Sequence, residues 1–217
     1  MAVWKVEAAS PPLNPIDKRR GRRFYFTVPR LVHTILLAAL LVLPGCAWTV
    51  RKPSAIADPV PVWISEYGKH CRIAVPSGRS TFIEYGFGEW NFYGREKRDI
   101  FSILRAGTGF GASAFSRREL IPATDGTLGP WQTGGTRSES LLVERARAEL
   151  LRRKLDARWQ ANQHTVRTRE IDGVVVSRDP ARYHVFRNSN HATAGWLEEL
   201  GCEVRGFPLY SNFRVER

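Results

Sequence analysis

The chain has 217 residues, of which 43% are hydrophobic, 25% charged and 11% aromatic. That balance excludes a disordered chain, a collagen and a polytopic membrane protein, and it suits one domain of ordinary size. Lys and Arg outnumber Asp and Glu by 33 to 21, a net charge of +12, and three cysteines are too few for a disulfide scaffold.

Residues 1–45 hold seven basic side chains against two acids, Glu7 and Asp17. An Arg-rich stretch from Lys18 to Arg30 leads into Leu31–Leu43, an apolar run of 13 residues, and then Pro44-Gly45-Cys46. A basic segment, a short apolar core and a small residue before a cysteine describe an export signal. The run falls short of the ~20 residues that a spanning helix needs. Leu43-Pro44-Gly45-Cys46 also resembles a bacterial lipoprotein signal, in which the cysteine becomes the diacylated first residue of the mature chain. The alternative is a retained N-terminal anchor with Cys46 an ordinary thiol. In an exported chain Cys71 and Cys202 form an even pair in an oxidising compartment. They read either as a disulfide or as two buried, inert thiols.

Residues 46–61 are Pro-rich without a sustained period and read as a tether, which leaves 62–217 as one folded domain. Val62–Ser65 and His70–Val75 read as strands. Pro76–Arg79 is a turn, and Ser80–Tyr85 a strand that pairs antiparallel with the one before it. Residues 86–94 (GFGEWNFYG) read as an aromatic, Gly-rich loop, and Arg95–Arg105 as helical. The clearest helix spans about 138–160, opened by a capping box at Thr136–Glu139 and marked by a stripe of Leu141, Ala148, Leu151, Leu155 and Trp159. Residues 165–177 read as a hairpin turning at Asp172-Gly173. Asn190–Leu200 is a helix closed by Gly201, and 202–209 a last strand. The class is α+β.

Two segments, 67–76 and 187–197, carry the chemistry. Ser189 sits at a helix start, where free N–H groups and the dipole stabilise an anion. His70 opens a strand, and Glu84 lies on the partner strand, where a carboxylate orients an imidazole. A nucleophile, a base and an orienter in that order are the parts of a papain-like acyl-transfer site. Tyr67 and Asn188 are oxyanion-side candidates, and Phe87, Trp90 and Tyr93 flank the cleft. Each has a plainer role: Ser189 as a helix cap, His70 as a strand histidine, Glu84 as a surface carboxylate and Tyr67 as a packing aromatic.

YGKHCRIAVP, IEYGFGEWNFY and NSNHATAGWLEELGCEVRG together resemble a family of exported bacterial proteins related to circularly permuted papain-like (NlpC-type) hydrolases. The resemblance covers residues 60–217. It implies a papain-like antiparallel sheet packed with helices, and no defined substrate. Those relatives carry cysteine where this chain has Ser189. A serine hydroxyl is far less acidic than a thiol of pKa ~8.5, so it needs His70 to take its proton during attack. Without that transfer the site is a binding cleft.

Gly107–Ala112 matches the dinucleotide fingerprint in letters, but lacks the apolar strand, the helix and the acid that the mechanism requires. His164, His184 and His191 have no metal-ligand spacing. Neither cofactor nor metal is implied, and no nucleic acid is expected. The partners implied are the membrane, through Cys46 or the apolar segment, and cell-wall peptide or anionic envelope polymer on the periplasmic side. Three functions stay open: an amide or ester hydrolase, a silent binding domain of the same fold, and a basic adaptor.

Overall fold

Apolar residues at alternate positions favour strands, the most abundant regular structure among the described residues. The computed structural model describes residues 47–78, 80–97 and 111–216. In chain order the strands are β1 (Trp48–Arg51), β2 (Pro59–Glu66), β3 (Cys71–Pro76), β4 (Phe82–Glu89), β5 (Gly111–Leu120), β6 (Arg137–Glu144), β7 (Arg167–Thr168), β8 (Val175–Tyr183), β9 (Glu203–Arg205) and β10 (Phe213–Glu216). The helices are α1 (Pro130–Thr133), α2 (Arg145–Ala161) and α3 (Ser189–Glu199), with a π-helical turn over Trp90–Gly94. Seven strands build one sheet in the order β6-β2-β3-β4-β5-β8-β7, antiparallel throughout. A smaller sheet places β1 between β10, parallel to it, and β9, antiparallel. The chain is therefore α+β. Among the described residues, no helix is long and apolar enough to cross a membrane.

The large sheet is covered by helices on one face. Ile64, Ile73, Val75, Ile83, Tyr85, Phe87 and Phe115 pack there against Ala148, Leu151, Leu155 and Trp159 of α2 and Ala194, Trp196 and Leu197 of α3. Ala148, Leu151, Leu155 and Trp159 form the expected stripe of α2, whereas Leu141 lies in β6. Two hairpins also follow the sequence. β3 and β4 pair with Ala74 opposite Glu84, and β7 and β8 pair around a turn in which Gly173 takes φ +65°. Gly201, at φ +86°, follows the end of α3 as expected.

Other expectations are corrected. The tether over 46–61 is not one: β1 is the middle strand of the small sheet, Trp48 and Val50 are fully buried, and β2 already begins at Pro59. β3 pairs with β2 only from Trp63 onward, so the stretch holding Pro59 and Pro61 has a side that needs no N–H. The helix expected from 138 begins at Arg145, because Leu141 and Val143 point inward while Leu142 is exposed, a period of two that pairs β6 with β2. The Gly-rich loop is strand as far as Glu89. Gly86 and Gly88 serve close approach, since a Cβ on Gly88 would lie 2.5 Å from Tyr93 Cγ. The strand expected over 202–209 shrinks to Glu203–Arg205, and an unexpected strand, β10, follows it. The helix expected over 95–105 falls mostly outside the described residues, as does Cys46. Residues 95–97 are not helical, and Glu96 has φ 55°. Cys71 and Cys202 are free, buried thiols. Burial pushes both above the ordinary thiol value, Cys202 to about 11.

Candidate functional site

The start of α3 does meet the entry of β3, but a residue that the motif argument passed over makes the junction. Asn190, 1% exposed, accepts from Cys71 N at 2.9 Å and donates to the carbonyls of Lys69 (3.3 Å) and Leu209 (3.1 Å). Its amide therefore brackets the backbone on both sides of His70. Thr193 adds a hydroxyl bond to the Cys71 carbonyl at 3.2 Å. An asparagine one residue into a helix is a common surface residue, so only the tertiary contact reveals its part.

Ser189 is the first residue of α3 and is buried. Asn188 before it is the cap: its Oδ1 accepts from Asn190 N at 2.9 Å and His191 N at 3.0 Å, and lies 2.9 Å from His191 Nδ1. Two of the N–H groups that an oxyanion would use are thereby occupied. Asn188 caps the start of the helix, and its Nδ2 donates to the Leu209 carbonyl at 3.1 Å.

The His70 ring turns the other way. Tyr67 stacks on it, with ring centroids 5.4 Å apart, and it meets Tyr93 edge-on at the same distance. Its Nε2 is buried without a hydrogen-bond partner among the described residues. Burial, then the nearby Arg72 and Arg169 guanidiniums, push the imidazole pKa down to about 3. It is neutral at pH 7 and a poor proton acceptor.

Glu84 does not orient His70. Its carboxylate, 1% exposed, is held by Arg72 Nη1 at 3.1 Å and Arg118 Nε at 2.8 Å, and it accepts from the Tyr67 hydroxyl at 2.5 Å. Arg118 also donates to Tyr67 Oη at 2.6 Å. Burial, followed by the Glu84 charge, raises the Tyr67 pKa far above the usual phenol value, so Tyr67 stays a neutral donor. The Arg72 guanidinium stacks over Tyr67, 4.1 Å from its centroid, and Arg169 over Tyr93 at 4.4 Å. Both arginines approach Asp172, each at 3.4 Å.

The expected triad is thus not assembled. Among the described residues, no hydrogen bond joins any two of Ser189, His70 and Glu84. Strand alternation explains the separation. Cys71, Ile73 and Val75 face the helices, whereas Arg72 and Glu84 lie on the reverse face, where the His70 ring joins them. The cleft aromatics divide likewise. Phe87 stacks on Tyr183 under the helices, while Trp90 and Tyr93 pack with Ala114, Val174 and Val176 in a separate cluster. Two surface hollows of about 620 and 570 Å³ lie elsewhere, one beside Trp63, Arg137 and Leu141, the other beside Pro61, Phe82 and Arg152. Among the described residues, no group of three or more His, Cys, Asp or Glu side chains could hold a metal.

What the site does offer is a cluster of arginines packed among aromatic rings. Arg72, Arg118 and Arg169 converge with Tyr67, His70 and Tyr93; among the described residues, Arg72 Nε, Arg169 Nε and Arg169 Nη1 are buried without a hydrogen-bond acceptor, with the Asp172 and Glu96 carboxylates 3.4 and 3.9 Å from Arg169 Nε. A buried, unmatched donor is costly. Compared with known proteins, the chain matches no family model, no curated protein and no solved structure.

Proposed function

We propose that this chain is an exported, membrane-anchored binding domain of the bacterial envelope that recognises an acidic group and does not hydrolyse through Ser189. The observation that carries the reading is the set of buried guanidinium donors on Arg72 and Arg169 beside a neutral His70. Such donors favour a carboxylate or another oxyanion as their acceptor. The same arrangement argues against covalent catalysis. A base with a pKa near 3 takes a serine proton poorly, and the carboxylate that would assist it is committed to two arginines. Export and anchoring rest on the basic stretch, the 13-residue apolar run and Cys46. Cell-wall peptides, which carry free carboxylates, are the proposed ligand class.

The test pairs a chemical probe with a binding measurement on the full chain. A fluorophosphonate is expected to leave Ser189 unlabelled. Acidic cell-wall fragments are expected to bind with an affinity that falls as salt rises, to lose affinity in Arg169→Gln, and to bind Ser189→Ala unchanged. Labelling at Ser189, or hydrolysis lost in Ser189→Ala, would overturn the proposal in favour of an enzyme.

A further inference from the structure

One end of the small sheet carries aromatic side chains that the core does not use. Phe186 is 68% exposed, Phe207 47% and Tyr210 40%. Phe186 and Phe207 touch, with ring centroids 6.1 Å apart, and His191 packs edge-on against Phe207 at 4.9 Å. Trp48 Nε1 donates to the Tyr210 carbonyl at 2.9 Å, which ties this patch to β1. Scattered apolar residues on a surface need no account, but touching aromatics do.

The patch lies where the chain enters the domain. A Cβ on Gly206, the neighbour of Phe207, would sit 3.3 Å from Trp48 Cα and 3.8 Å from the Ala47 carbonyl oxygen. Cys46 is one peptide unit before Ala47, and four units separate Leu43, the end of the apolar run, from Ala47. Fully extended, those four units span at most about 14 Å. Because β1 is the central strand of its sheet, the entry point cannot peel away to lengthen the link. A chain held in a bilayer by Cys46 or by Leu31–Leu43 must therefore present this end to the lipid. Arg187 and Lys69 are exposed nearby and have no ion-pair partner among the described residues. Aromatic rings with neighbouring cations suit the headgroup layer of an anionic membrane.

We infer that Phe186, Phe207 and Tyr210 form a membrane-docking face, seated on anionic phospholipid and flanked by Arg187 and Lys69. The inference rests on the anchoring part of the proposed function and adds the orientation of the domain to it.

The full chain, reconstituted in vesicles of phosphatidylglycerol and phosphatidylethanolamine, provides the test. A nitroxide is placed at position 207 by Phe207→Cys, or at position 131 by Trp131→Cys; Trp131 is 97% exposed. The label at 207 is expected to relax more with oxygen, which concentrates in lipid, than with a water-soluble nickel chelate. The label at 131 is expected to do the reverse. Phe186→Ser with Arg187→Gln should shift the label at 207 toward the nickel response. If the chain floats with the vesicles while both labels respond as water-exposed, docking is wrong and anchoring stands. If the chain does not float, anchoring fails and docking falls with it. Protection at 207 that persists in detergent and grows with protein concentration would assign the patch to a second copy of this chain, and would also overturn the inference.

Discussion

Around β3 and β4 the two faces of the seven-stranded sheet are buried by different physics. Under α2 and α3 the contacts are aliphatic and aromatic, so stability there follows apolar area and packing. On the reverse face, Arg72 and Glu84 are just as inaccessible, yet they are held by ion pairs, Tyr67 and stacked rings. The first face tolerates exchange of one apolar residue for another. The second is conditional, because each charge is tolerable only while its partners remain. Burial alone therefore says little about how a position responds to change.

The sharpest way to break this comparison is Glu84→Ala, which leaves Arg72 buried with its main partner gone. It is expected to cost about 3–5 kcal/mol in urea unfolding. Leu155→Ala under the helices should cost about 2–5 kcal/mol, set by the cavity it leaves. If Glu84→Ala were nearly neutral, the reverse face would behave as a solvated surface network and the contrast would vanish.

Acidity separates the faces next. The folded pKa of His70, about 3, lies below the ordinary value of 6.5. Between those values the unfolded chain binds the proton and the folded one does not, so stability rises with pH across that window and falls as the solution is acidified. The slope from this one group is at most about 1.4 kcal/mol per pH unit. His70→Phe keeps a ring between Tyr67 and Tyr93 and removes the titration. The difference between variant and parent in urea midpoints at pH 7, 6, 5 and 4 should show the slope disappear.

The smallest expected effect lies at the start of α3. Asn188→Ala removes the acceptor for two N–H groups and should cost about 1 kcal/mol. Ser189→Ala should cost less, because the cap is its neighbour. A larger loss at Ser189, measured by thermal unfolding, would show that the hydroxyl has a role the hydrogen bonds do not explain.

The legible elements are those whose cause is local. The β3–β4 hairpin, the turn at Asp172-Gly173, the apolar stripe of α2 and the glycine after α3 follow from turn chemistry and periodicity within a few residues. β6 misled because Ser138–Glu144 carries a helix-start signal and a strand alternation at once, and pairing with β2 decides between them. β1 misled because four residues among prolines show no period, and their partners lie more than 150 positions away. The segments around His70 and Ser189 do meet, through Asn190. Glu84 was placed on the right strand, but Arg118, 34 positions on, takes its carboxylate.

Sequence by itself determined the composition class, the basic and apolar stretch before Cys46, the paired strands around Glu84 and the two long helices, because each depends on the spacing of neighbours along one chain. Tertiary structure alone decided which side of the sheet each polar group occupies. The direction of the His70 ring and the sharing of Glu84 between Arg72 and Arg118 are set by distant strands competing for the same carboxylate and the same buried space, a competition that no local spacing records.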